Sequence, residues 1–213
     1  MTSPLAPLGT LFAAEDDDGV RALLARIAAS IGLVAETFAR AEELLARAPF
    51  PVPSVVVLDL RLPGLGGLEA QQQLIAAHND APVVFLTGFG DVASASTALK
   101  SGAFDFLEKP FREERLVEVL QSALAFHAVT AKRSEERRAA RQRLDRLTPR
   151  EREVLPLLLE GLASKAIAAE LKLSKKTIDL HRSNVLHKVG VGSTAELVRL
   201  VLAAEDEAAL RRS

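Results

Sequence analysis

Four short apolar runs in the first half of the chain each end on a polar residue. Leu11-Phe12-Ala13-Ala14 leads into Glu15-Asp16, and Val55-Val56-Val57-Leu58 into Asp59. Val83-Val84-Phe85-Leu86 leads into Thr87, and Phe104-Asp105-Phe106-Leu107-Glu108 into Lys109. Runs this short and this apolar read as strands of a parallel sheet covered on both faces. Ligands of such sheets bind beyond the carboxyl ends of the strands. The pattern therefore predicts one edge bearing carboxylates, a hydroxyl and an ammonium, a set suited to a hard cation and a phosphoryl group.

The intervening segments have helical character: Val20–Ile31, Ala41–Arg47, Leu68–Ala77, Val92–Ser101 and Glu113–Ala125. With a strand-like Leu33–Phe38 they make five βα units, hence a doubly wound sheet with right-handed crossovers. The composition then turns charged. Lys132-Arg133-Ser134-Glu135-Glu136-Arg137-Arg138 lies in a stretch, 128–146, without Gly or Pro. It reads as a helical linker continuing the preceding helix.

The rest of the chain reads as four helices. Thr148-Pro149-Arg150-Glu151 has the form of a capping box with Pro at the first helical position, and Gly161 suits the end of that helix. Ser164 is expected to cap a short helix to Leu171, and Ser174 a longer one, Lys175–Val189, ending at Gly190. Ser193-Thr194-Ala195-Glu196 is a second capping box.

The net charge of −1 conceals an asymmetry. Residues 1–130 hold 9 Lys+Arg against 16 Asp+Glu, and residues 131–213 hold 18 against 12, so the halves stand at −7 and +6. A basic second half suits nucleic acid. The absence of cysteine excludes disulfides and thiolate metal sites. No apolar run reaches the roughly 20 residues that span a bilayer, and Met1–Thr10 lacks a basic leader region. A cytoplasmic protein with no membrane partner is expected.

These strand-end residues, in this order, resemble the receiver domain of two-component response regulators. Asp59-Leu60-Arg61-Leu62-Pro63 with Gly67-Leu68-Glu69 is similar to the phosphoacceptor turn, and Leu86-Thr87-Gly88 and Glu108-Lys109-Pro110-Phe111 to the switch and lysine motifs. The 22-residue spacing from Thr87 to Lys109 also fits. The second half resembles the LuxR-type helix-turn-helix of the NarL/FixJ family. This likeness rests on Leu147–Leu155, Lys165-Ala166-Ile167-Ala168 and Thr177-Ile178-Asp179-Leu180-His181-Arg182, and it is nearest the FixJ branch.

The resemblance implies a flavodoxin-like receiver over residues 1–127, with five parallel strands in the order 2-1-3-4-5. A linker over 128–146 and an all-α four-helix DNA-binding domain over 147–213 would follow. It implies that Asp59 accepts a phosphoryl group from a sensor histidine kinase, with Thr87 and Lys109 as its catalytic companions and Thr87 and Phe106 as the switch. Mg²⁺ would be held by Glu15, Asp16, Asp59 and the Arg61 backbone carbonyl. Many receivers have two aspartates at the first two positions. Asp16-Asp17 is the other register, but Glu15-Asp16 leaves Val20-Arg21 at the family's distance. Phe89 stands where a polar residue is common, at a position that affects dephosphorylation rate.

Phosphorylation would favour a homodimer through Val92, Ala95, Leu99 and Lys100. Promoter DNA would then meet Lys172, Lys175, Lys176, Thr177, Asp179, Leu180, Arg182, Ser183 and Lys188. Of these, Asp179, Leu180 and Ser183 would lie nearest the base edges. Two cations at the start of Lys175–Val189 oppose the helix dipole by roughly 0.3–1 kcal/mol each, which makes sense beside a DNA phosphate. His181 reads as a packing or phosphate-positioning residue. RNA polymerase is a further expected partner. Chemistry is expected only on the protein's own phosphoryl group, because no second catalytic domain accompanies the strand-end site. The competing reading, a non-phosphorylated ligand-sensing receiver, is disfavoured by the intact Asp59, Thr87 and Lys109 set.

Overall fold

The computed structural model describes residues 8–88 and 102–205. The chain divides into two compact units between Ala131 and Lys132.

The first unit contains β1 (Thr10–Ala14), α1 (Asp18–Ser30), β2 (Val34–Phe38), α2 (Ala41–Leu45), β3 (Ser54–Asp59), α3 (Gly67–Ala76), β4 (Val83–Thr87) and β5 (Asp105–Glu108). The start of α4 (Glu113–Leu144) completes it. The strands are all parallel, in the order β2-β1-β3-β4-β5. Side chains alternate across the sheet with period two. Leu11, Ala13, Val55, Val57, Val84 and Leu86 pack with α1 and α4, where Leu24, Ile27, Leu116 and Leu120 meet them. Phe12, Ala14, Val56, Leu58, Val83 and Phe85 face the other way, onto Leu44, Ala70 and Leu74 of α2 and α3. Both faces are covered, so β3 and β4 need apolar side chains at successive positions, and their burial is complete.

Helix α1 begins two residues before the expected Val20 because Asp17 caps it, accepting from the Val20 N–H at 2.9 Å. At the opposite end of the sheet, the buried His127 Nδ1 lies 3.0 Å from Ser54 N and 2.9 Å from Ser54 O. It ties α4 to the start of β3. Helix α4 runs without a break through the charged stretch to Leu144, as expected of a helical linker that continues the preceding helix.

The second unit continues with α5 (Pro149–Leu159), α6 (Ser164–Glu170), α7 (Lys175–Val189) and α8 (Thr194–Glu205). Its core comprises Leu147, Val154, Leu158, Ile167, Ile178, Val185, Val189, Leu197 and Val201. The capping box at α5 forms: Thr148 N–H donates to Glu151 Oε2 at 2.8 Å, and Glu151 N–H to Thr148 Oγ1 at 3.3 Å. Ser174 caps α7, accepting from Thr177 N–H at 3.0 Å, and Gly190 ends it in the left-handed region.

Two expected caps differ. Ala163, in extended conformation, precedes α6, so Ser164 is the first helical residue and not the cap. At α8, Ser193 Oγ accepts from Glu196 N–H, but the Glu196 carboxylate takes the Gly192 N–H at 2.9 Å, so the second box is not reciprocal. The expected helix Val92–Ser101 lies outside the described residues.

Candidate functional site

Parallel strands end at the same edge, and Asp59 and Thr87 are the last residues of β3 and β4. Glu15 follows β1 directly, and Lys109 follows β5. The strand-end side chains predicted from sequence therefore converge. Lys109 Nζ donates to Asp59 Oδ2 at 2.5 Å and to Glu15 Oε2 at 2.6 Å. Asp59 Oδ1 accepts from the Arg61 N–H at 2.8 Å, so both oxygens of this carboxylate are held. The Lys109 N–H bonds the Thr87 carbonyl at 2.7 Å, fixing the lysine beside the end of β4. Thr87 is 3% exposed and Glu15 is fully buried.

Burial raises the Glu15 carboxyl above the usual carboxylate range, against the opposing hydrogen bond from Lys109. Burial also works to lower Lys109, but its hydrogen bonds to Asp59 and Glu15 outweigh that and raise it. Carboxylate oxygens of Glu15, Asp16 and Asp59 lie within 4.8 Å of one another. Three hard anionic donors at this spacing, one exposed to solvent, fit a hard divalent cation that keeps several waters. Asp17 is engaged differently: its carboxylate caps α1. Phe106, three residues before Lys109, stands outward and is 38% exposed.

In the second unit, α7 buries Ile178, Val185 and Val189 and exposes Lys176, Leu180, Ser183 and His187, as the helical spacing predicts. Leu180 is 59% exposed. Lys172 is exposed in the turn before α7, with φ at 54°. Thr177 is half-buried, its hydroxyl 2.8 Å from Ser174 Oγ.

Several predicted contact residues have internal partners. Lys175 pairs with Asp179 at 2.9 Å, one turn on. The Ser164 hydroxyl and then Lys175 hold the Asp179 carboxyl below its usual range. Arg182 donates to Thr194 Oγ1 at 2.9 Å. Lys188 Nζ donates to both oxygens of Glu151, at 2.9 and 2.7 Å, and Glu151 is only 3% exposed. Glu151, legible as a capping residue, also binds a cation 37 positions away, which no local pattern signals.

Sequence reasoning also missed the fit of Gly67 against Asp59, the His127–Ser54 lock, and the contacts of Arg21 with the backbone of Glu15 and Asp16. Each joins residues whose proximity depends on the fold. Phe89, Val92, Ala95, Leu99 and Lys100 lie outside the described residues.

Residues 11–121 match the response regulator receiver domain, and residues 145–201 match the luxR family of bacterial regulatory proteins. The chain belongs to the response regulators, in the NarL/FixJ group that joins a receiver to a LuxR-type DNA-binding domain, and its function is transcriptional regulation.

Its relatives include the transcriptional regulatory protein FixJ of Bradyrhizobium diazoefficiens, 37% identical over 92% of this chain and 96% of that protein. The C4-dicarboxylate transport transcriptional regulatory protein DctR of Rhodobacter capsulatus is 38% identical over 90% of this chain and 98% of that one. Among solved structures, the response regulator StyR superposes with a TM-score of 0.80 at 38% identity, covering 90% of this chain and 97% of that one.

Proposed function

We propose that Asp59 is the phosphoacceptor of a two-component system and that its phosphorylation controls binding of promoter DNA. The observation that carries this is the placement of Lys109 Nζ between Asp59 and the buried Glu15, within a three-carboxylate cluster at one sheet edge. A carboxylate oxygen of Asp59 forms a bond to phosphorus as the phosphorus–nitrogen bond of the kinase phosphohistidine breaks. Lys109 stays beside the new phosphate as a point charge. The Thr87 hydroxyl donates to a phosphoryl oxygen once one is present, and Phe106 moves inward behind it. Mg²⁺, when bound by Glu15, Asp16, Asp59 and the Arg61 carbonyl, supplies positive charge against the crowded oxygens. The chemistry stays with the protein's own phosphoryl group: acceptance, and later loss to water.

The working division is a receiver over 1–127, a helical linker over 128–146 and a DNA-binding domain over 147–213. Dimerisation uses Val92, Ala95, Leu99 and Lys100, and two copies of α7 then read two half-sites. Lys172, Lys175, Lys176, Thr177, Arg182 and Lys188 contact phosphates, and Asp179, Leu180 and Ser183 lie toward the base edges. A sensor histidine kinase supplies the phosphoryl group, RNA polymerase is a partner at the promoter, and the protein works in the cytoplasm. Among the described residues, no helix is long and apolar enough to cross a membrane.

Incubation with acetyl phosphate and Mg²⁺ tests the assignment. Intact mass should rise by one phosphoryl group, and Asp59→Asn should remain unlabelled; full labelling of that variant sinks the reading.

A further inference from the structure

We propose that Arg21 is a positioning residue for the cation site: it aims the Asp16 carboxylate by gripping the backbone that bears it. The inference rests on the assignment of Glu15, Asp16 and Asp59 as the metal-binding acids.

Arg21 lies in the first turns of α1, with its side chain only 18% exposed. One guanidinium nitrogen donates to two consecutive backbone carbonyls, Glu15 O at 2.5 Å and Asp16 O at 2.9 Å. The other terminal nitrogen pairs with Asp18, whose carboxylate is 92% exposed. Glu15 has independent anchors, since its N–H bonds Phe38 O and its side chain meets Lys109. Asp17 is fixed by capping α1. Among the described residues, no hydrogen bond holds the Asp16 carboxylate itself. Its direction is set by the backbone on either side, and Arg21 fixes the carbonyl of that residue and of the one before. The planar guanidinium holds both carbonyls through one terminal nitrogen and the Asp18 carboxylate through the other, a fixed two-nitrogen arrangement that a single ammonium does not reproduce.

The alternative role, bulk electrostatics, has the opposite sign. A guanidinium beside an acidic cluster repels an incoming cation, so if charge were all that mattered, its removal would tighten metal binding. If Arg21 positions Asp16, its removal loosens binding. Outer residues that orient metal ligands typically contribute about 10–100-fold to affinity.

The test titrates Mn²⁺ into the unphosphorylated full-length chain, with free metal followed by electron paramagnetic resonance, for wild type, Arg21→Ala and Arg21→Lys. The Mg²⁺ concentration giving half-maximal acetyl phosphate labelling is measured alongside. Arg21→Ala should bind Mn²⁺ about tenfold or more weakly. Its half-saturating Mg²⁺ should rise in step, while labelling at saturating Mg²⁺ stays within a few fold of wild type. Arg21→Lys keeps the charge and should fall between the two. It also carries the test if Arg21→Ala fails to fold. Affinity unchanged or tightened in the folded variants overturns the proposal. Asp59→Asn separates the two levels. If it still accepts the phosphoryl group, the assignment of the site falls. If it is inert while the Arg21 variants bind metal as wild type does, only the role of Arg21 falls.

Discussion

A β-carbon added to Gly67 would stand 2.2 Å from the backbone oxygen of Asp59 and 3.0 Å from its carbonyl carbon. The first residue of α3 is thus pressed against the residue that ends β3, and the Gly67 N–H returns to Leu60 O at 3.2 Å. Alanine at a helix position is ordinarily favoured over glycine by about 0.5–1 kcal/mol. Here the atom met is backbone at the end of a buried strand, which cannot rotate away. Overpacking of about 1–3 kcal/mol outweighs the propensity gain. Gly67→Ala should lower the urea midpoint of the first unit and slow acetyl phosphate labelling. Labelling and midpoint both equal to wild type would show that the turn yields freely.

The Glu151–Lys188 pair calls for single and double substitutions. Removing one member leaves a charge without its partner, which costs about 3 kcal/mol when the remaining group is as buried as Glu151. Lys188→Met should therefore destabilise the second unit strongly. Lys188→Met with Glu151→Gln should recover part of the loss, because no carboxylate is then stranded. A double variant no more stable than Lys188→Met would count against this account.

The same pair sets a pH dependence. Burial works to raise the Glu151 carboxyl, but the Lys188 hydrogen bond and the Thr148 N–H outweigh it and hold it below the ordinary value of 4.5. With the folded value depressed, the contribution to stability is fully present above about pH 4.5. It is lost as pH falls through the folded value. Chemical denaturation of residues 131–213 in the full chain, followed from pH 6 to pH 3, should show a steeper acid loss for wild type than for Glu151→Gln. Parallel curves would remove Glu151 from the explanation.

If, as proposed, Lys175 meets a DNA phosphate and Leu180 a base edge, substitutions at the two should have different effects on binding. Lys175→Ala should weaken operator and scrambled duplex alike and lower the salt slope by about 1. Its ion pair with Asp179 is exposed at both ends, so the ammonium is easily released to a phosphate. Leu180→Ala and Ser183→Ala should weaken the operator preferentially and leave the slope nearly unchanged. Loss of discrimination in Lys175→Ala alone would mean that α7 docks in another orientation.

How far the sequence reaches is clear at α7. There Ile178, Val185 and Val189 are buried and Lys176, Leu180, Ser183 and His187 are exposed at helical spacing, a facing that depends only on helical geometry and so can be read from the residues. The same logic placed the strands and gathered Asp59, Thr87 and Lys109 at one edge, since parallel strands must end together. Capping at Thr148 and Ser174 was also legible, being chemistry within three residues. Capping failed at Ser164 because the helix begins one residue earlier than expected, with Ala163 at the cap position and Ser164 already in the first turn.

What the sequence determined by itself is therefore what local periodicity and chain direction fix: element type, facing and the edge where the acids meet. Only the tertiary structure decided that Lys188 serves Glu151, that His127 locks Ser54, that Arg21 grips two carbonyls, and that Gly67 has no room for a side chain. The physical reason is range. Periodicity acts over a turn or a pleat, whereas these contacts arise when packing brings elements within hydrogen-bond or van der Waals reach of each other. No local pattern records which partner will be there.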